Sequence, residues 1–197
     1  MSIKLVMGLG NPGTRYSNNR HNVGFQCIDL LARSKGVKLD RRLGYALTGE
    51  VDIGGSKIVL AKPQTFMNKS GDSAASLRRD LRATPEEILV IYDEMDLPLG
   101  RIRVRPQGSS GGQKGVQSII ERLGSKNFPR IRVGIGRPLG ERSSSSRYED
   151  EILDWLLNDF TPEEEDVMLE ARSRAAEAAL AVIEQGIEKA MNQYNKL

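Results

Sequence analysis

Apolar residues fall in short runs over most of the chain and in a helical rhythm near its end. Ile3 to Gly8 is nearly all apolar and predicts a buried first strand. Asn22–Ser34 carries Phe25, Ile28, Leu31 and Ala32 at helical spacing, which predicts a helix with Cys27 as a small core residue beside its buried face. Lys35–Leu43 is polar and reads as a connection. Tyr45–Asp52 and Lys57–Ala61 flank Gly54-Gly55, the pattern of a β-hairpin. Lys62–Asn68 then leaves the sheet as a loop, and a helix is predicted from Ser70 to about Leu81.

Thr84-Pro85-Glu86-Glu87 has the form of a capping box and predicts a single turn. Ile88–Tyr92 is almost all apolar and predicts a strand in the sheet interior, with Asp93–Gly100 as the loop that leaves it. Arg101, Arg103 and Arg105 alternate with Ile102 and Val104, so a strand there puts the three arginines on one face. A Gly/Ser loop over 107–113 leads into a helix at about Lys114–Leu123, and Arg130–Ile135 is a further strand. Gly140–Ser146 reads as a mobile polar linker, followed by a short helix over Glu149–Asn158. A second capping box, Thr161-Pro162-Glu163-Glu164, opens a long amphipathic helix through 161–196 that Gly186 bends or breaks.

Strands and helices alternate without a repeat. Residues 1–197 therefore predict a single α/β domain: a twisted, mixed, mostly parallel sheet covered by helices on both faces. In such sheets ligands gather beyond the carboxyl ends of the strands. The Gly8–Gly13 turn and Asp93 meet that condition, and the loop with Asn68 can reach the same rim.

Composition narrows the chemistry. One cysteine excludes an internal disulfide and fits a reducing cytosol, and one histidine with one cysteine excludes the usual zinc ligand sets. No stretch reads as a signal peptide or membrane span, so the expected place is the cytoplasm and the expected partner is not a membrane. Residues 101–137 hold nine basic residues and one acid, whereas 138–197 hold six and fourteen. That split suggests a basic surface for a polyanion and an acidic element elsewhere, against the plainer reading of a mixed surface with an acidic helix.

His21 is the sole histidine. An imidazole can take a proton from water, a carboxylate such as Asp93 can fix its tautomer, and the carboxamides of Asn11 and Asn68 can position water or polarise a carbonyl. With no serine elbow and Cys27 inside a helix, direct attack by water is the natural reaction. Each residue also has a structural reading: His21 as part of a turn, Asp93 as a helix cap or turn residue. Gly8-Leu9-Gly10-Asn11-Pro12-Gly13 is not a dinucleotide fingerprint, because Pro12 interrupts it.

Gly8–Gly13 with Tyr16, Arg20-His21-Asn22-Val23-Gly24, Lys62–Asn68 with Ser70-Gly71, Asp93–Gly100 and Arg132–Pro138 together resemble bacterial-type peptidyl-tRNA hydrolase, in order along nearly the whole chain. The resemblance implies hydrolysis of the ester between peptide and tRNA by His21-activated water, with no cofactor or metal. It implies that Asp93 orients His21, that Asn11 binds the peptide part, and that Asn68 holds substrate or water. Tyr16, Phe66 and Met67 would line the channel for the 3′ end. Arg105 and Arg132 would clamp the tRNA 5′ phosphate, with Arg101, Arg103 and Arg130 adding nonspecific contacts. Strand alternation leaves open that some of these arginines instead pair with acids across the sheet. Residues 140–160 resemble the family's mobile lid, and the absence of an oligomerisation stripe leads to an expected monomer.

One departure stands out. Where the family usually reads Gly-Gly-His-Asn-Gly, this chain has Gly111-Gly112-Gln113-Lys114-Gly115. Lys114 cannot accept a hydrogen bond but carries a charge suited to phosphate, so it is expected to keep a substrate-binding role by electrostatics. Two other readings are an RNA-binding or splicing-cofactor relative that has kept the fold, and a nucleotide-binding α/β enzyme suggested by the glycine turn alone.

Overall fold

The computed structural model describes residues 2–138 and 146–196, so the expected linker lies outside the described residues apart from Ser146. The strands are β1 (Leu5–Gly8), β2 (Arg41–Leu43), β3 (Ala46–Ile53), β4 (Ser56–Pro63), β5 (Ile88–Glu94), β6 (Ile102–Arg105) and β7 (Arg130–Gly134). The helices are α1 (Val23–Ser34), α2 (Ser70–Asp80), α3 (Lys114–Leu123), α4 (Ser146–Leu157), α5 (Pro162–Gln185) and α6 (Ile187–Tyr194). They build one α/β domain around a seven-stranded sheet in the order β2-β3-β4-β1-β5-β7-β6. The four central strands run parallel, and β2, β3 and β6 are antiparallel at the edges.

Strand alternation divides the apolar residues between two cores. On β1 and β5, Val6, Leu89 and Ile91 face α1, α5 and α6; Leu5, Met7, Ile88, Val90 and Tyr92 face α2 and α3. A strand covered on both faces has no polar positions to alternate, which is why β1 and β5 read as continuous apolar runs. Each such Leu or Ile contributes about 1.5–3 kcal/mol by leaving water. The alanines of α5 (Ala171, Ala175, Ala178, Ala179) are buried and let this long helix lie close on the sheet and α1. Among the described residues no helix is long and apolar enough to cross a membrane.

The differences from expectation lie at element ends. β5 runs two residues further than its apolar run, through Asp93 and Glu94, because its neighbour β7 pairs Val133 with Asp93 and Gly134 with Glu94. β2 lies inside the expected polar connection; two exposed arginines and a half-buried leucine carry no apolar signal, yet its backbone completes the edge of β3. α4 starts at Ser146, three residues early. Gly186, at φ 89° and ψ 162°, ends α5 and starts α6, so the C-terminal helix is broken. Both capping boxes form: Glu87 accepts from the Thr84 N–H and Glu164 from the Thr161 N–H, each at 2.8 Å. Gly54 and Gly55 take positive φ, as a two-residue hairpin turn requires.

One contact seats the functional end of the sheet. A Cβ on Gly8 would lie 2.2 Å from the Gly24 carbonyl oxygen, and one on Gly24 would lie 2.4 Å from the Leu9 nitrogen. Only glycine at both positions lets β1 and the first turn of α1 touch backbone to backbone. The Leu9 N–H then donates to the Ile91 carbonyl at 2.9 Å, and the Phe25 N–H to the Leu9 carbonyl at 3.2 Å. The loop between them, residues 10–22, is thereby held over the carboxyl end of β5.

Candidate active site

His21 lies in a 3-10 turn, Arg20–Asn22, that leads directly into α1. The neighbouring Asn22 pins this turn to the glycine loop. Its Oδ1 accepts the Asn11 N–H and its Nδ2 donates to the Asn11 carbonyl, both at 2.9 Å. Asn11 in turn accepts the Met67 N–H on Oδ1 at 2.9 Å, tying in the loop after β4. Both ends of the loop 10–22 and the distant loop after β4 are thus locked by carboxamides, and the Asn11 NH2 is left without a hydrogen bond among the described residues.

His21 Nδ1 is 2.9 Å from Asp93 Oδ2, with the residues 8% and 2% exposed. A carboxylate only accepts, so Nδ1 carries the shared hydrogen, and the neutral tautomer this bond selects has its lone pair on Nε2. Asp93 Oδ1 accepts a further hydrogen bond from Gln113 Nε2 at 2.8 Å. The pair opens on a cleft of about 310 Å3. Its walls include Met95, Gly111, Lys114 and, from α4, Ile152, Leu153 and Leu156. A larger cavity of about 550 Å3 lies at the opposite, amino ends of β1, β5 and β7 and contains neither His21 nor Asp93. The chemistry therefore selects the smaller one.

The expected site residues distribute unevenly. His21, Asp93 and Lys114 border the cleft; Asn11, Tyr16, Phe66, Met67 and Asn68 sit on the loops beside it and are not among its walls. Phe66 is 55% exposed and Asn68 is exposed, whereas Met67 is buried. Tyr16 is half-buried, with the Arg15 guanidinium 4.4 Å from its ring centre and donating to its hydroxyl.

Two of the arginines expected to make nonspecific contacts, Arg103 and Arg130, are committed within the fold. Arg105, Arg130 and Arg132 border a separate cavity of about 160 Å3 with Tyr92, Glu94 and the loop 108–111. Arg130 is no surface contact: it is 1% exposed and donates to the carbonyls of Ser109, Lys126 and Phe128 at 2.9, 3.1 and 3.4 Å. Burial pushes the Tyr92 hydroxyl above and the Arg130 guanidinium below their ordinary values, and their mutual attraction opposes both shifts. Arg103 is occupied by the chain's end, donating to the Asn195 carbonyl at 2.5 Å. Arg132 pairs across the sheet with Glu94 at 2.7 Å, while Arg105 is half-exposed with no ion pair among the described residues.

Two residues that matter here carried no role in the sequence reading. Gln113 lay in a quoted motif, but nothing in its neighbours indicates that it reaches Asp93. Arg20, 4% exposed, stacks 3.9 Å from the Trp155 ring centre and pairs with Glu164 at 2.6 Å. It also donates to the Asp159 carbonyl at 2.5 Å. These partners lie about 135 to 144 positions away, beyond any local pattern. Among the described residues no group of three or more His, Cys, Asp or Glu side chains is arranged to hold a metal ion.

Fold and site together define a single-domain α/β protein with a buried histidine–carboxylate pair at the carboxyl rim of its sheet. Residues 5–197 match the Peptidyl-tRNA hydrolase family. A peptidyl-tRNA hydrolase from Aquifex aeolicus is 42% identical over 196 residues, which span 100% of this chain and 98% of that relative. One from Alkaliphilus metalliredigens is 44% identical over 191 residues, 97% of this chain and 98% of its own. The crystal structure of peptidyl-tRNA hydrolase from Acinetobacter baumannii matches with a TM-score of 0.89 at 32% identity, over 98% of this chain and 94% of that one. The chain belongs to the peptidyl-tRNA hydrolase family.

Proposed function

We propose that this protein hydrolyses the ester bond between peptide and tRNA in peptidyl-tRNA, with His21 as general base on water. The observation that carries the reading is the His21–Asp93 pair at 2.9 Å, buried at the wall of an open cleft. A water at Nε2 gives up a proton to the imidazole as it attacks the ester carbonyl, and Asp93 stabilises the imidazolium that forms. The proton then passes to the departing 3′ oxygen of the ribose, so the cycle closes without a cofactor.

The remaining roles are those the family resemblance implies. The NH2 of Asn11, without a hydrogen bond among the described residues, contacts the peptide part and aids selection of peptidyl over free aminoacyl ends. Tyr16, Phe66 and Met67 form the channel for the 3′ end, and Asn68 holds substrate or water. Lys114 occupies the first position of α3, where a positive charge opposes the helix dipole. An exposed ammonium at that position and on the cleft rim supports contact with substrate phosphate. Arg105 and Arg132 form the clamp for the 5′ phosphate, with Glu94 holding the Arg132 guanidinium in place. α4, whose apolar side walls the cleft, acts as a lid. The protein works as a monomer in the cytoplasm.

The test is release of the blocked amino acid from N-acetyl-aminoacyl-tRNA. Wild type turns over, and His21→Ala falls by at least the ~10²–10⁴-fold usual for a general base. Equal rates would mean that another group, Asp93 first, is the base. No turnover in wild type with salt-sensitive RNA binding would make this an RNA-binding relative.

A further inference from the structure

The Asp93 carboxylate has a second donor besides His21. Its Oδ2 faces the imidazole, and its Oδ1 accepts from Gln113 Nε2 at 2.8 Å. Gln113 is itself held. Its Oε1 accepts the Val116 N–H at 2.8 Å, which makes Gln113 the N-cap of α3. A primary amide has one accepting and one donating end. The backbone N–H claims the first and the carboxylate the second, so one orientation alone satisfies both neighbours. The surroundings keep the side chain there. Nε2 is 3.3 Å from the Met67 sulfur, and a Cβ on Gly115 would lie 2.5 Å from that sulfur and 3.0 Å from Gln113 Oε1.

We propose that Gln113 is a positioning residue for the hydrolysis. It fixes the plane of the Asp93 carboxylate, and through it which nitrogen of His21 is free to take the proton from water. The inference rests on the reading of His21 as the base. A carboxylate terminal torsion is broad and two-fold, so one hydrogen bond on one oxygen leaves it room to swing. A second donor, anchored to a helix terminus, removes that freedom. With Asp93 fixed, Nδ1–H stays bonded and the Nε2 lone pair stays aimed at the cleft. With Asp93 loose, the imidazole can take the other tautomer, which has no base on the reacting side.

Capping and positioning are done by the two ends of one side chain, so a single methylene separates them. Asparagine is among the best N-caps and keeps a bond to the Val116 N–H. Its amide sits about 1.5 Å closer to the backbone, one carbon–carbon bond, and cannot also reach Asp93. The test is therefore Gln113→Asn in the full chain, with Gln113→Ala beside it. Two readouts are needed: steady-state hydrolysis of N-acetyl-aminoacyl-tRNA, and the 15N shifts of the imidazole. His21 is the sole histidine, so its two nitrogens give an unambiguous pair of signals.

In Gln113→Asn, kcat falls about 10- to 100-fold, the cost of a small misplacement, while KM stays within about twofold. The two 15N shifts move toward each other as both tautomers become populated, and the thermal midpoint is unchanged. Gln113→Ala has the same kinetic and spectral signature with a lower midpoint. Unmoved 15N shifts with unchanged kcat in Gln113→Asn would reduce Gln113 to a helix cap and overturn the inference. A fall in kcat with unmoved shifts overturns it too, because Gln113 would then act on substrate directly. Either result beside an inactive His21→Ala variant sinks the positioning role alone. A fully active His21→Ala variant sinks the base assignment and this role with it.

Discussion

In the proposed reaction His21 relies on neighbours that cost folding free energy to assemble. Asp93 is a buried acid, and a buried acid is tolerable only when its oxygens are hydrogen-bonded. Here both are, one to the imidazole and one to Gln113. Cys27 shows the opposite case, a reactive atom made inert by its surroundings. It is fully buried, and burial pushes its thiol up to about 12, with Arg172 acting weakly the other way. Native protein should therefore not react with a thiol reagent at pH 8, and labelling should appear only on unfolding; rapid labelling of folded protein would contradict this. The same shift sets a sign for stability. A group whose folded value is raised contributes fully below its ordinary value. Cys27's contribution is therefore constant below about pH 9 and is lost as pH rises from there toward about 12. Cys27→Ala should lose that alkaline slope in a denaturation series run across those pH values.

Among the elements, α4 is tied to the His21 turn through a buried guanidinium. Arg20 is stacked by Trp155 and Phe160, and it caps the chain between α4 and α5 through Asp159 and Glu164. Because Arg20 precedes His21, the root of the proposed lid and the turn that carries His21 are one unit. Trp155, the sole tryptophan, donates Nε1 to the Gly136 carbonyl at 3.1 Å and reports on this unit directly. Arg20→Ala should red-shift the Trp155 emission and lower stability by about 2 kcal/mol, the scale of a desolvated cation–π contact. An unchanged spectrum and denaturation midpoint would show that α4 is held by other contacts. α5 needs no such clamp. Its acidic first turn complements the helix dipole, and its alanine face packs on α1 and the sheet.

The whole molecule separates its charge. The basic segment 101–137 supplies β6, α3 and β7, with residues 111–114 on the cleft, while the acids of the last sixty residues lie mostly along α4 and α5. Within the basic segment the structure divides labour: Arg130 supports a loop, Arg103 holds the chain's end, Arg132 is paired, and Arg105 is half-exposed with no ion pair among the described residues. Arg105→Ala should weaken tRNA binding uniformly across sequences and flatten the plot of log affinity against log salt by about one unit, as expected for one lost phosphate contact. An unchanged salt slope would remove Arg105 from the binding face.

Much of this was legible from the chain. Continuous apolar runs marked β1 and β5 because both faces of those strands are covered, and period-two arginines marked β6. Two Thr-Pro-Glu-Glu boxes marked helical turns because their hydrogen bonds are local. His21 and Asp93 stood out because the imidazole is unique and the acid follows a buried strand. The tertiary structure decided what local pattern cannot carry. β2 has no apolar signal and exists because β3 offers an edge. The alternating arginines shared a face in the sequence, but which of them are committed depended on Glu94, the loop carbonyls and the C-terminal residues. Gln113 and Arg20 became meaningful only when the fold brought Asp93 and Trp155 to them, since a side chain's hydrogen bonds are set by distance in space.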